Sequence, residues 1–438
     1  MIATLIFQQA RQKRHELIML AGMIALYFFS YFQRVAVPGT VFNELQVAFN
    51  ASATAITALG ALFLYVYGFW QIFAGLLADR FGGLRMLLIG GMLMTIGALV
   101  FPLARSLPLL YTTRVLVAFG ASFMYISLIK EIDTLFDRRH FAMLLSVTLF
   151  FGYSGGLFGT LPLERAVDWF GWRASFLGAG LLTAGILLGN VWLMKRLRRL
   201  EPQRWRTSRL FIKDIIRNRQ IWYIIIPAAI NFSIYFLFQA SIGKKMLSDA
   251  CGANSAQAAA IMFGMLLACM VFTSLAGFLS RLIGNRRKPL IIGGTSLTLG
   301  TLAFMLWALA HPSGTAGLMA LGCILLGISV SVSPLLTSTM KEANPEEAAA
   351  TSVGFINCLS YLCVAVTTNL AGIAMDVFRE QAVVTTQAII YPASAYRIIL
   401  LGCLIAAAAA WISSLFISET RGLCTYRRAV SFFPTNAA

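Results

Sequence analysis

Residues 75–85 read Gly-Leu-Leu-Ala-Asp-Arg-Phe-Gly-Gly-Leu-Arg, and residues 277–287 read Gly-Phe-Leu-Ser-Arg-Leu-Ile-Gly-Asn-Arg-Arg. Each stretch follows one long apolar run and precedes another. Identical residues recur at a constant offset of 202 residues, and among them Gly75, Gly82 and Arg85 return as Gly277, Gly284 and Arg287. A weak repeat of this period indicates that the chain consists of two related halves.

The apolar runs around these stretches are too extensive for a water-soluble protein. Of 438 residues, 59% are hydrophobic and 12% are charged, and the mean hydropathy is +0.78. A helix needs about 20 apolar residues to cross the hydrocarbon core of a bilayer. The sequence therefore predicts an all-α integral membrane protein with twelve transmembrane helices in two pseudo-symmetric six-helix bundles.

Most of the twelve predicted spans are separated by short loops. They cover residues 17–38, 54–78, 86–105, 108–130, 142–163, 174–194, 220–242, 257–279, 289–310, 315–340, 350–375 and 394–417. The first bundle is predicted over residues 1–195 and the second, with a short cytoplasmic tail, over residues 220–438. A basic cytoplasmic linker, residues 196–219, is predicted to join them.

Lysine and arginine are distributed unevenly between the two sets of loops. With a cytoplasmic N-terminus, the inner segments hold 26 of these residues and the outer loops hold 7, and two lie within spans. Because cytoplasmic loops carry an excess of basic residues, we expect both termini on the cytoplasmic side. The net charge of +18 follows from this topology, and no sequence motif indicates a nucleic-acid partner.

Enzyme chemistry and bound cofactors are not expected. The sequence has no phosphate-binding glycine loop, no paired catalytic carboxylates and no His/Cys cluster at ligand spacing. The seven cysteines form no close pair, and most lie within apolar spans, so neither a metal site nor a disulfide framework is predicted. We therefore expect no enzyme activity, no metal and no cofactor.

The first repeated stretch resembles the loop signature of the major facilitator superfamily, which has the pattern G-x-L-x-D-R-x-G-x-x-R. The resemblance implies a conformational lock, in which glycines permit a tight turn and Asp79 meets a helix N-terminus or an arginine. The implied lock residues are Gly75, Asp79, Arg80, Gly82 and Arg85 in the first copy, and Arg281, Gly284 and Arg287 in the second. Since Arg281 replaces the aspartate, the second lock is expected to be weaker or differently paired.

A bacterial branch of this superfamily is similar in further places. The element Tyr31-Phe32-Gln33-Arg34, the glycine-rich fifth span from Gly152 to Gly159 and the sequence Gly171-Trp172-Arg173 carry the resemblance. This branch is related to organic-anion and sugar-phosphate carriers. The resemblance implies a multi-pass protein of the bacterial cytoplasmic (inner) membrane that works by alternating access. The glycines imply either a sliding contact between the halves or a plain packing face.

Two arginines within predicted spans are the main candidates for substrate binding. Arg34 lies late in the first span and Arg114 early in the fourth, while no acidic residue lies in the middle of any span. A buried cation is costly, and a guanidinium can hold a carboxylate or phosphate through two hydrogen bonds. The pattern favours an anionic substrate. In the alternative, Arg34 extends to the outer surface and Arg114 binds backbone carbonyls.

Polar and aromatic residues of several spans are predicted to line the same site. The further candidates are Tyr31, Gln33, Tyr65, Asn231, Tyr235, Gln239, Asn357 and Tyr361. Lys244 and Lys245 fall in a predicted outer loop, where they mark the membrane surface or form a basic gate. The surface position is the favoured expectation of the two.

These features together predict a secondary active transporter for a small organic anion, with uptake as the expected direction. Efflux of amphipathic drugs by the same fold is the first alternative, and a transporter-like membrane sensor is the second. Symport with an ion, exchange and facilitated diffusion all remain open because no membrane carboxylate is evident. The expected partners are the substrate, a coupling ion in the case of symport, and the lipid bilayer, with the protein as a monomer.

Overall fold

The computed structural model of the protein describes residues 2–136, 138–196, 212–311, 315–345, 349–386 and 388–425. The chain divides into two compact units. Unit 1 comprises Met1–Val37 and Phe69–Ser208, and unit 2 comprises Pro38–Gly68 and Arg209–Ala438. Most of the predicted basic linker lies outside the described residues. The division into bundles at residues 195 and 220 stays a prediction, and residues 38–68 group with the second half of the chain.

Helices dominate the described residues in both units. The first seven in chain order are α1 (Ile2–Ala36), α2 (Phe42–Ala48), α3 (Ala53–Phe81), α4 (Gly83–Val100), α5 (Leu107–Leu135), α6 (Arg138–Phe158) and α7 (Leu161–Arg196). The following ones are α8 (Ile212–Arg217), α9 (Arg219–Leu237), α10 (Gly243–Cys251), α11 (Ser255–Leu282), α12 (Lys288–Ala310), α13 (Thr315–Ser329), α14 (Ser333–Glu342), α15 (Ala349–Asp376) and α16 (Ala393–Leu415). A two-stranded antiparallel ribbon, β1 (Val383–Val384) and β2 (Ile389–Ile390), precedes α16.

The described residues include 11 helical segments that are long and apolar enough to cross a membrane. The longest, Val147–Arg196, contains both the fifth and the sixth predicted span. It is interrupted at Gly171, whose φ of 76° and ψ of 158° are not helical. Glycine adopts a positive φ at no steric cost, so this position ends one helix and begins the next. The prediction of an all-α, multi-pass membrane protein is confirmed.

The seventh predicted span is longer than the sequence indicated. It was predicted to end at residue 242, but α9, a π-helical turn at Phe238–Ile242 and α10 form one segment, Arg219–Cys251. The assignment of Lys244 and Lys245 to a loop was wrong, because both side chains are buried in α10, while their position at the membrane surface or in a basic gate stays a prediction. Their charges suggested a loop, but each ammonium group is bonded to oxygen atoms of the protein.

Glycines allow very close helix packing within unit 1. On α4 and α5, a Cβ added at Gly90 would lie 2.6 Å from the carbonyl oxygen of Gly120. On α6, side chains added at Gly152 and Gly155 would collide with Tyr27 and Phe28 of α1. The glycine-rich fifth span is therefore a packing face for a helix of its own unit.

We expect Gly120→Val to destabilise the protein by about 1–3 kcal/mol, because a side chain there meets the backbone of α4. The unfolding temperature of the purified protein in detergent measures this effect. Gly178→Val is the matched control, since a Cβ at Gly178 meets nothing within 4 Å. Equal unfolding temperatures for the two variants would contradict the proposed backbone contact.

Candidate functional site

A buried arginine and a group of tyrosines form the first candidate cluster, in unit 1. Arg34 is 3% exposed, and its guanidinium carbon lies 4.7 Å from the centre of the Tyr31 ring. Tyr31 in turn packs against Tyr153 of α6 and Tyr27 of α1, with ring centres 4.8 and 6.4 Å apart. The α1 residues follow one another at helical spacing on one face. Since Arg34 is buried, the alternative in which it extends to the surface is not supported.

Arg114 binds backbone carbonyl groups at the end of α1. Its Nη1 donates to the carbonyl oxygen of Gln33 at 3.1 Å, and its Nη2 donates to that of Val37 at 3.2 Å. The last carbonyl groups of a helix lack intrahelical partners and attract cations. This geometry agrees with the alternative in which Arg114 binds backbone carbonyls, and it fixes the turn that carries Gln33 and Arg34.

Sequence reasoning missed two tyrosines of this cluster, Tyr125 and Tyr153. The ring of Tyr125 on α5 stacks on Tyr27 with a centre distance of 5.8 Å. Tyr153 lies inside the glycine-rich stretch of α6. Its ring packs against Tyr31, because the neighbouring residues in that stretch are small. The sequence signal that could have identified Tyr153 is its position between the glycines of the packing face.

Unit 2 contains a second cluster on the seventh span. Asn231, Tyr235 and Gln239 lie at intervals of four residues, which places them along one side of the helix. Asn231 and Gln239 are each 3% exposed, and neither amide has a hydrogen-bond partner for its nitrogen or its oxygen among the described residues. Gln239 also lies in the π-helical turn, a distortion that is frequent at functional sites.

Unsatisfied amides in an apolar interior are costly, by roughly 1–3 kcal/mol for each polar group. Each amide is therefore a candidate for binding a water molecule or a ligand group that has its own donors and acceptors. Three other predicted residues lie on neighbouring helices of unit 2. Tyr361 packs between Tyr67 and Phe232 at centre distances of 4.9 and 5.4 Å, Tyr65 accepts from Asn369 at 3.5 Å, and Asn357 precedes Tyr361 by one turn of α15.

The two copies of the repeated stretch are built differently. In the first, the turn is made by Gly82 with a φ of 91°, and Arg80 lies over the Phe81 ring at 5.1 Å. The side chain of Asp79 lies outside the described part of the chain, so its expected role stays a prediction, as do those of Gly75 and Arg85. A carboxylate at the start of α4 does come from Glu131, which accepts from the Leu84 amide at 2.8 Å.

In the second copy, Gly284 makes the turn with a φ of 72°, and Arg281 is exposed. Arg287 forms an ion pair with Glu342, with Nη2 and Oε1 separated by 2.6 Å. The hydroxyl of Thr420 also donates to Glu342, at 2.5 Å. The described geometry therefore provides this copy with a carboxylate partner from α14.

Glu419 caps the helix that follows this second copy. Its two carboxylate oxygens accept from the backbone amides of Arg287 and Lys288, each at 3.0 Å. Partial burial alone would raise the pKa of Glu419, but the backbone N–H donors outweigh it and the pKa is lowered from its usual value of 4.5. A lowered folded-state pKa gives stability that is present above the unfolded pKa and lost as the pH falls through the folded pKa.

We expect Glu419→Gln to lower the unfolding temperature at pH 7, where the ionised cap binds the start of α12 most strongly. The difference from the wild type should shrink as the pH falls below the ordinary carboxyl range, because both side chains are then neutral. Thermal unfolding at several pH values measures this. The exposed Glu380→Gln is the control, and a difference that is independent of pH would contradict the charge-dependent cap.

Comparisons with known proteins agree with this architecture. The family model of the Major Facilitator Superfamily matches residues 23–368. A chloramphenicol resistance protein of Pseudomonas aeruginosa is 26% identical over 300 residues, which cover 66% of this chain and 68% of that protein. Human monocarboxylate transporter 7 is 24% identical over 152 residues, which cover 34% of this chain and 29% of that protein.

The fold matches a solved transporter along almost its whole length. The crystal structure of a bacterial homologue of the human lysosomal transporter Spinster superposes with a TM-score of 0.73 at 15% sequence identity. The match covers 92% of this chain and 97% of that one.

Proposed function

Because the chain belongs to the Major Facilitator Superfamily, we propose that it is a secondary active transporter that carries a small organic anion into a bacterial cell by alternating access. The cytoplasmic (inner) membrane is its proposed location, with both termini on the cytoplasmic side. The uneven distribution of lysine and arginine between the loops supports this orientation. The substrate is the proposed partner, and a monomer suffices for the fold.

The observation that carries the anion proposal is the buried guanidinium of Arg34. A cation in a low-dielectric interior requires compensating charge or dipoles, and an intramembrane ionisable residue usually serves a function. An anionic substrate group can accept two parallel hydrogen bonds from a guanidinium. Arg114 holds the helix end that carries Arg34 through the Gln33 and Val37 carbonyls, so it positions the binding residue.

The chemistry around these groups suggests what else the substrate carries. The tyrosine rings near Arg34 suit an aromatic or aliphatic part of an organic acid. An organic anion with an aromatic or aliphatic part satisfies these requirements better than a hydrocarbon cation does.

Export of an amphipathic compound is the second candidate. The similarity to a chloramphenicol resistance protein covers 66% of the chain and favours it. The similarity to monocarboxylate transporter 7 covers 34% and favours a carboxylate. A cation exporter would use a carboxylate for binding. Among the acidic side chains that the structure describes, the buried Asp249 is paired with Lys245 and Glu131 is bonded to the start of α4, while Glu164 is also buried.

We expect counterflow uptake of an anion into proteoliposomes to fall at least roughly tenfold in Arg34→Gln, because one charge-assisted hydrogen-bond pair is lost. The labelled panel comprises phosphate esters, di- and tricarboxylates, aromatic acids, chloramphenicol and cationic dyes. Arg105→Gln removes the same charge from an exposed loop residue and should transport like the wild type.

The outcomes separate the two candidates. Uptake of an anion that collapses only in Arg34→Gln supports the anion carrier. Transport of chloramphenicol or dyes that is unaffected by Arg34→Gln replaces it with the exporter. Reconstitution in both membrane orientations, with the substrate on one side, then gives the preferred direction of flux.

A further inference from the structure

A short apolar ribbon projects from unit 2 between α15 and α16. It consists of β1 and β2, and in the turn that joins them the Thr385 amide donates to the carbonyl oxygen of Ala388 at 2.8 Å. Val383 and Val384 of β1 are 61% and 73% exposed, although both side chains are apolar. Because successive side chains of a strand point to opposite faces, β1 is exposed on both of its faces. An apolar partner accommodates such a strand better than water does.

The pairing register places two apolar side chains on one face of the ribbon. Val383 lies opposite Ile390, and Val384 lies opposite Ile389. Directly opposed side chains lie on the same face of an antiparallel pair. Ile389 is buried, whereas Ile390 is 37% exposed. The face that carries Val383 and Ile390 is therefore the one that points away from the protein.

The inner strand of the ribbon is bonded to α10, at the end of the seventh span. Nζ of Lys245 donates to the carbonyl oxygen of Ile389 at 2.7 Å, and the amide of Tyr391 donates to Oδ2 of Asp249 at 3.0 Å. Lys245 and Asp249 form a buried ion pair, with the two atoms 3.1 Å apart. Both belong to the apolar segment Arg219–Cys251, which is long enough to cross a membrane. These bonds hold the ribbon at the end of that segment.

An exposed apolar stripe of α15 leads to the ribbon. Val366, Leu370, Ile373 and Val377 are exposed at intervals of three or four residues, which places them along one side of the helix and its end. On a membrane-spanning helix, such a stripe faces lipid. Residues 378–382 then form tight turns, so the ribbon stays close to the end of the stripe.

Helix α16 carries a second exposed stripe directly after the ribbon. The helix begins three residues after β2, and Ile398, Leu401 and Ile405 are 50%, 48% and 73% exposed. The ribbon is thus flanked along the chain by two apolar surfaces that a bilayer would cover.

We propose that the ribbon is a membrane anchor, in which the face of Val383 and Ile390 lies in the interfacial layer of the bilayer. The partner is the phospholipid surface, which covers the stripes of α15 and α16 and continues onto the ribbon. Because the inner strand is bonded to α10, the anchor fixes the depth of this end of the seventh span. The inference rests on the membrane-spanning fold and on neither the substrate nor the direction of transport.

Two opposing constraints set the depth of the ribbon. Its apolar side chains favour the acyl chains. The sheet has two strands within the described part of the chain, however, so the outer edge of β1 carries backbone groups without a strand partner, and such groups are too costly in hydrocarbon. The nearby Arg379, Glu380 and Thr385 are also exposed and require water or headgroups. The ribbon therefore belongs to the headgroup region, with Val383 directed towards the acyl chains.

Spin labels on single added cysteines measure this depth in the full-length protein in liposomes. The ratio of accessibility to oxygen over accessibility to a water-soluble nickel chelate rises with depth, because oxygen concentrates in the bilayer. This ratio should be several-fold higher for Val383→Cys than for Thr385→Cys, the matched control at the polar turn of the same ribbon. Leu370→Cys, on the exposed stripe of α15, should give the highest ratio of the three.

The labelled positions suit the measurement. All three side chains are exposed, so a label there leaves the packed interior unchanged. The seven native cysteines are buried or half-buried, and the chain without an added cysteine gives their background signal.

Photocrosslinking in native membranes identifies the partner. A benzophenone amino acid in place of Val383 should become attached to phospholipid on irradiation, because its ring replaces a side chain that faces the acyl chains. The same amino acid in place of Thr385 should give several-fold less lipid adduct. Mass spectrometry of the purified protein distinguishes a lipid adduct from a protein adduct.

The two measurements decide together. An accessibility ratio at Val383→Cys between those of the other two positions, with a lipid adduct at position 383, supports the anchor. Equal ratios at Val383→Cys and Thr385→Cys overturn it, because the ribbon then lies in water. A protein adduct at position 383, or the absence of a lipid adduct there, also overturns it, and the protein adduct would make the ribbon a docking site for that protein. Neither measurement uses a transported compound, so failure of the anion proposal remains distinguishable.

Discussion

Backbone groups at helix ends have no intrahelical partner, and this chain satisfies many of them with its few charged side chains. Carboxylates accept from amides at three helix starts: Glu131 at Leu84, Asp376 at Ala53 and Thr54, and Glu419 at Arg287 and Lys288. Cations donate to carbonyls at three helix ends: Arg114 at Gln33 and Val37, Lys130 at Ala78, and Arg397 at Leu309. The signs agree with the helix dipole in every case. Each contact therefore fixes a helix end to a distant part of the chain.

This constraint explains why the charged residues of the spans are poor indicators of substrate chemistry by themselves. Arg114 and Arg34 look equivalent in the sequence, since each is a lone guanidinium in an apolar run. In the structure, Arg114 is committed to two carbonyls at the end of α1, whereas Arg34 lies against the ring of Tyr31. The two carbonyl contacts give Arg114 a positioning role, whereas the binding role of Arg34 stays a proposal that rests on its burial beside the Tyr31 ring.

The sequence predicted the helical spans and the repeat, because hydropathy and short motifs depend on a few neighbouring residues. It missed contacts between residues that are far apart in the chain. Lys245 was assigned to a loop because its partners, Asn43 and Ile389, are more than 100 residues away. Only Asp249, one helical turn later, was visible as a local signal of a buried pair. The grouping of residues 38–68 with unit 2 likewise depends on long-range contacts.

Helix α3 sets the limit on how such a protein can move. Its backbone is helical from Ala53 to Phe81, although its first part packs in unit 2 and its second in unit 1. A break in the backbone hydrogen bonds of this helix would expose amide and carbonyl groups at membrane depth, which costs several kcal/mol per group. The weak points are therefore the side-chain contacts at its start and the glycine at the boundary. At Gly68 a side chain would lie 2.9 Å from Cβ of Tyr361, so close approach to α15 requires glycine there.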